Sequence, residues 1–251
     1  MKMKSLMNVG RLLVLMTILA ACSENREFDN LTDEVNPVLS FTCESQNRSI
    51  VSSFAKGSKI GVSVTNKGTT NAYEGQLGNL NICYTLKGPD FWETSFNTNL
   101  TTSDAHVYGY YPYNAEASEG VVTMENGTDY LYTESPSVIN RNSPAAQIKL
   151  NHVMALLRFS FDSSLGTVNS VRVRNLPESG TFDIYTGTVT PSPKVTNLDI
   201  QKGDLELIEG LLVIPGNKID VMVYTENGNF VWKPVTIAES GKQYNIRLSA
   251  K

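Results

Sequence analysis

The side chains with the most reactive chemistry are few in this 251-residue chain: three cysteines and two histidines. Cys22, Cys43 and Cys83 are too few for a disulfide framework, and they sit in no C-x-x-C pair. His106 and His152 lie far apart in sequence with no H-E-x-x-H around either, so a histidine-based metal centre has no ligand set. The chain also lacks G-x-S-x-G, a Walker A loop and G-x-G-x-x-G. Carboxylates are scattered rather than paired. The expectation is two structural histidines, no catalytic residues, no metal, no cofactor and no enzyme. Cys43 and Cys83 lie in alternating runs. Leu39, Phe41 and Cys43 share one strand face, whereas Ile82, Tyr84 and Leu86 share a face that excludes Cys83. The two sulfurs therefore point to different sides, which predicts free thiols, Cys43 buried and Cys83 more exposed.

The third cysteine has a different setting. Lys2, Lys4 and Arg11 precede an apolar run of ten, Leu12–Ala21, which ends Leu19-Ala20-Ala21-Cys22. At ~1.5 Å rise per residue such a run cannot cross a ~30 Å hydrocarbon core. It fits the apolar core of a secretory signal, and its end resembles the bacterial lipobox, where a peptidase cuts before a cysteine whose thiol carries lipid. Residues 1–21 read as a lipoprotein signal peptide and Cys22 as the lipidation site. Two or more acyl chains give stable anchoring where one gives marginal binding. Residues 22–36 are polar and acidic without periodicity and read as a flexible tether.

Without the signal, 18 basic residues face 25 acidic ones, a net charge of −7. An acidic chain without a basic stripe argues against nucleic-acid binding, which rests on phosphate neutralisation. Hydrophobic residues at 41% and charged residues at 18% are globular composition.

From Pro37 onward the chain shows short alternating or β-branched runs separated by turn residues, and no convincing long amphipathic helix. The runs are Val38–Cys43, Lys59–Thr65, Leu80–Leu86, His106–Tyr111, Gly120–Met124 and Tyr130–Thr133, then Ala146–Phe161, Val168–Arg174, Gly180–Ile184, Leu205–Ile214, Lys218–Tyr224, Phe230–Val235 and Gln243–Ser249. Turns are marked by Asn66-Lys67-Gly68, Gly88-Pro89-Asp90, Asn126-Gly127 and Pro215-Gly216-Asn217. Thr225–Asn229 between two runs predicts a hairpin. Within Ala146–Phe161 the spacing of Leu150, Val153, Met154 and Leu157 is helical, but Arg158–Phe161 alternates. We expect strand in the second half, with a turn or short helix near Asn151-His152. The polar stretch Thr133–Ala145 places a domain boundary, giving residues 37–143 and 144–251 as two β-sandwiches of ordinary size. Tyr108, Tyr110, Tyr111 and Tyr113, with Trp92, invite a sugar-stacking reading. Core packing is the simpler expectation, with the strand covered on both faces.

Several segments together resemble the fimbrillin family of Bacteroidales lipoproteins. These are Phe54-Ala55-Lys56-Gly57-Ser58-Lys59-Ile60-Gly61-Val62, Val107-Tyr108-Gly109-Tyr110-Tyr111-Pro112-Tyr113, Asp129-Tyr130-Leu131-Tyr132, Leu150–Phe159 around His152 and Met154, and the closing Gly241-Lys242-Gln243-Tyr244. Ser58 stands where the family usually has Asp. The resemblance implies an all-β fold of two tandem transthyretin-like β-sandwich domains and a role as a fimbrial stalk, tip or anchor subunit. It implies partners that are other fimbrial subunits, joined by β-strand addition after an Arg-specific protease removes the first strand. Arg48, just after Val38–Cys43, is the candidate cleavage site that would release that strand with the lipid. Arg26 is the candidate that would release the lipid alone. No strand beyond Gln243–Ser249 is evident for donation, which favours an accessory, tip or anchor subunit unless that strand is itself the donor. The second expectation is a stand-alone surface lipoprotein on the outer membrane that binds a glycan or a host protein.

Overall fold

The computed structural model describes residues 35–43, 53–117, 119–233 and 238–250, and only the backbone of 42, 43 and 206–209. Cys22, Arg26, Arg48 and the signal peptide lie outside the described residues, as does the side chain of Cys43. From Val35 onward the chain is one compact unit.

Its strands, in order, are β1 (Val38–Cys43), β2 (Lys59–Asn66), β3 (Ile82–Gly88), β4 (Phe91–Glu93), β5 (Ala105–Tyr111), β6 (Val121–Met124), β7 (Leu131–Thr133), β8 (Ser137–Ile139) and β9 (Ala145–His152). They continue as β10 (Ala155–Phe161), β11 (Val168–Pro177), β12 (Gly180–Asp183), β13 (Val189–Pro191), β14 (Val195–Gln201), β15 (Leu211–Val213), β16 (Asp220–Thr225), β17 (Gly228–Trp232) and β18 (Gln243–Leu248). The only helical pieces among the described residues are short 3₁₀ turns. The protein is all-β, and its cores are those of two sandwiches.

The first core is enclosed by one sheet in the order β1-β9-β7-β5-β2-β3-β4, with β8 paired to β5. Phe41, Ile60, Val62, Val107, Leu131, Ile148 and their neighbours fill it. The second core lies between β15-β10-β18 and β14-β11-β16-β17, and is packed by Leu157, Phe159, Val171, Val173, Val221 and Ile246. A small fourth sheet, β13-β12-β6, takes β6 from the first part of the chain and β12 and β13 from the second. Under it lies a third cluster built on Tyr110, Met124, Met154, Phe182 and Ile214. Alternation explains most of this. In β3, Ile82, Tyr84 and Leu86 are buried and Cys83, a free thiol, is half-buried.

β5 is covered on both faces. Val107 and Tyr111 look into the first core and Tyr110 into the third cluster, while Tyr108 packs edge-on against Tyr185 at 5.0 Å between ring centroids. The tyrosines are core and interface residues. Gly61 on β2 makes room for Tyr110: a Cβ there would sit 2.0 Å from the ring. His106 accepts a hydrogen bond from the Gly68 N–H at 3.4 Å, and His152 Nδ1 lies 2.9 Å from a carboxylate oxygen of Asp129.

Several local expectations change. Ala146–Phe161 is strand in its second half as expected, but β9 also runs through His152 and the turn comes two residues later, as a bend at Val153-Met154 before β10. The helical spacing arises because two strands with different inward faces are read through one bend. Leu205–Ile214 is a 3₁₀ stretch, Lys202–Glu209, followed by the three-residue β15. Leu205, Leu207 and Ile208 do not alternate, and Gly203 and Gly210 bracket them. β4, β8, β13 and β14 were not expected; three of them are only three residues long. The hairpin at Thr225–Asn229 forms, with Thr225 opposite Gly228. β9 lies beyond the boundary placed at 143/144, yet it is hydrogen-bonded between β1 and β7, so the chain passes to the second sandwich between His152 and Ala155.

Candidate functional site

β1 occupies the seat that the strand-exchange expectation concerns. Among the described residues it pairs on one side only, parallel to β9, in an unbroken register from Val38 opposite Ala145 to Cys43 opposite Leu150. The Val38 N–H donates to the Pro144 carbonyl at 2.9 Å, and the Leu100 N–H donates to the Val35 carbonyl at 3.0 Å, pinning the start of the strand. A parallel pair cannot be made by a tight turn, so the partner comes from a distant part of the chain.

The sequence places Leu39 and Phe41 on one face, and both pack into the first core. Phe41 is 7% exposed. Its ring meets Trp92 of β4 edge-on at 4.9 Å and Tyr84 of β3 at 6.3 Å. Trp92 in turn meets Phe54, and Phe54 meets Tyr111, at 5.4 and 5.3 Å. Edge-to-face contacts of this kind add about 0.5–1.5 kcal/mol each beyond area burial. Gly109 of β5 forms the floor: a Cβ there would approach the Phe41 ring to 3.2 Å and Ile148 to 3.0 Å. Burial pushes the Tyr84 phenol up to about 12. Beside the strand's start lies a cleft of about 230 Å³ lined by Pro37, Tyr84, Phe91, Trp92 and Phe96, with Phe91 59% exposed.

The second sandwich repeats the geometry. β18 lies at a sheet edge, parallel to β10 from Gln243 opposite Leu156 to Leu248 opposite Phe161. Ile246 and Leu248 are buried as Phe41 is.

Seated this way, β1 acts as a plug. Withdrawing it would expose one edge of β9 and an aromatic-lined trough, a combination that favours refilling by another extended strand. Sequence reasoning singled out β1 and the inward face of Phe41. The seat itself, Tyr84, Trp92, Phe54 and Gly109, is not legible in the sequence, where Trp92 shows only as an aromatic near the tyrosines. Among the described residues no group of three or more His, Cys, Asp or Glu is placed to hold a metal ion.

Comparison with known proteins gives a consistent picture. The profile of the fimbrillin-like family matches residues 47–251. A candidate cell adhesion protein from Bacteroides uniformis shares the fold with a TM-score of 0.62 and 18% identity, covering 85% of this chain and 94% of that one. One from Bacteroides ovatus aligns with a TM-score of 0.60 and 20% identity over 86% and 93%. A fimbrial protein from Bacteroides ovatus aligns with a TM-score of 0.52 and 14% identity, covering 85% of this chain but 48% of its own length. No curated protein matches.

Proposed function

The chain belongs to the fimbrillin-like family, and on that premise we propose that it is a non-enzymatic subunit of surface fimbriae that assembles by strand exchange at the β1 groove. It reaches the outer membrane as a lipoprotein carried on Cys22. Cleavage after Arg48 then removes the lipid and β1 together, and a strand from a neighbouring subunit enters the vacated trough. Cleavage after Arg26 would free the protein from the membrane with β1 still in place.

The observation that carries this reading is the seating of β1. It is a single edge strand, joined to the rest of the fold through the segment that holds Arg48, and its main side-chain anchor is Phe41. A replacement strand would gain ladder bonds worth ~0.5–1.5 kcal/mol each and apolar burial worth ~1.5–3 kcal/mol per large side chain. These must exceed the entropy of ordering it. The C-terminal strand β18 has the same spacing of inward apolar residues, Tyr244, Ile246 and Leu248, and is the segment of this chain best matched to a neighbour's groove.

The test is the N-terminus and intact mass of the protein taken from its native cell surface. A chain that begins at Ser49 without lipid is the expected result. A chain that still begins at acylated Cys22 would overturn strand removal, leaving a membrane-held anchor or a stand-alone binder of glycan or host protein.

A further inference from the structure

The two parallel ladders are connected. β9 ends at His152 and β10 begins at Ala155. These strands belong to different sheets and do not pair with each other, so the chain runs on from one sandwich into the next instead of turning back. The linking residues, Val153 and Met154, are fully buried in the third cluster. Three hydrogen bonds hold them: Val153 N–H to the Tyr130 carbonyl at 2.8 Å, the Ser240 hydroxyl to the Val153 carbonyl at 2.7 Å, and Gly241 N–H to the Met154 carbonyl at 3.2 Å.

β1 lies parallel to the first half of this rail and β18 parallel to the second, six residues each. Consider tension that enters ahead of Val38 and leaves beyond Leu248. It draws β1 backward along β9 and β18 forward along β10, so each ladder is loaded along its length. Its evenly spaced, slanted inter-strand bonds share the load along the strand, and all must yield together before the strand slips. Had the load met the two strands at adjacent ends, the bonds would open one at a time.

Both places where the load arrives are reinforced. At β1 these are the Val38 and Leu100 N–H bonds described above. At β18 the Asp162 N–H donates to the Leu248 carbonyl at 2.8 Å and the Ala250 N–H to the Ser164 hydroxyl at 3.2 Å. The Arg247 guanidinium bonds the Asp162 carboxylate at 2.5 Å.

We propose that β1, the continuous β9–β10 rail and β18 form a load-bearing clamp that carries end-to-end tension through the protein as two shear ladders in series. The clamp follows from topology alone and describes the chain with β1 in its seat, before any cleavage after Arg48; it does not depend on strand exchange taking place.

The experiment is single-molecule pulling on the unlipidated chain from residue 22 to 251. One form carries handles at both ends. A second carries one handle inserted at Ser163–Gly166 and one at the C-terminus, which grips β10 and β18 at adjacent ends and peels them apart. End-to-end pulling of the inserted form shows whether the insertion itself has weakened the fold. The expected first rupture end to end requires at least about twofold more force than peeling, because several bonds break together. The same end-to-end force is expected with and without the insertion. Equal forces in the two geometries would overturn the clamp, as would an end-to-end trace that begins with a short, low-force release of β1 or β18.

Discussion

Truncating Phe41 to alanine isolates the anchor of β1. The ring is 7% exposed, touches Trp92 and Tyr84, and lies over Gly109, whose missing Cβ leaves the space it fills. Alanine cannot reach any of these groups, and glycine beneath cannot rise to fill the void. The cost for a buried Phe→Ala change is about 3–5 kcal/mol. With a urea dependence of about 3 kcal/mol/M, the upper end for small proteins, the midpoint falls by roughly 1–1.7 M. The assay is equilibrium urea unfolding of the chain from residue 22, followed by tryptophan fluorescence, because Trp92 loses a ring neighbour when β1 leaves. Val38→Ala on the opposite face, 65% exposed, serves as the control and should shift the midpoint by no more than about 0.2 M. If Phe41→Ala shifts it by less than about 0.3 M, β1 is not held by its aromatic seat and the plug argument fails.

Other outcomes follow from individual contacts. Gly61→Ala forces a methyl group into the Tyr110 ring and should cost about 3 kcal/mol or prevent folding. Gly57→Ala meets no atom but must hold a φ of +93°, and should cost nearer 1 kcal/mol; thermal melts of both that coincide would contradict this ranking. The Ser164 N–H and then the Arg247 guanidinium hold the Asp162 carboxyl down at about 2, from 3.8. A depressed carboxyl contributes stability above its unfolded pKa and loses it as pH falls through the folded value. Asp162→Asn should therefore flatten the fall in stability between about pH 4 and pH 2, and an unchanged slope in urea midpoints would count against it. Burial raises the Tyr84 phenol to about 12 and raises Tyr110 as well. Their contribution is intact below pH 10 and declines as pH rises toward 12. Absorbance titration at 295 nm should show these two ionising only with unfolding, and full reversible titration of all tyrosines by pH 11 would refute their burial.

The reading of β1 shows how far a pattern can go. From Leu39 to Cys43 apolar and polar residues alternate between polar segments, so the strand and its inward face are legible in the residues themselves. Its partner is not. Nothing in Leu39 or Phe41 states that the neighbouring strand begins at Ala145, or that it runs parallel, because pairing across about a hundred residues is decided by the whole fold. The same holds for β18 and β10. β4, β8 and β13 escaped notice because three residues are too few to show a period, and edge position leaves their side chains half exposed. At Leu150–Leu157 the helical spacing competes with alternation, and the structure resolves it as two strands joined through a buried bend. Only residue-level geometry separates them, since Val153 and Met154 are buried for a reason unrelated to either strand's face.

That bend also decides how the site and the fold are related. A boundary placed in the polar stretch before Ala145 would make β9 the first strand of a separate module. In the structure β9 is the bed on which β1 lies, and its direct continuation is the bed for β18. The strand that is proposed to leave and the strand best matched to replace one in a neighbour thus lie along one continuous run, Ala145–Phe161. Burial of the link in the third cluster makes independent motion of the two beds costly, since Met154 would lose its packing against Tyr110, Phe182 and their neighbours. Met154→Ala should therefore cost about 2–5 kcal/mol in global stability, although the residue touches neither exchanged strand's register. Its decisive readout is the end-to-end rupture force. If the rail is one element, weakening the link lowers that force without changing the force needed to peel β18. A variant that lowers both equally would mean that the third cluster merely adds stability and does not join the two ladders.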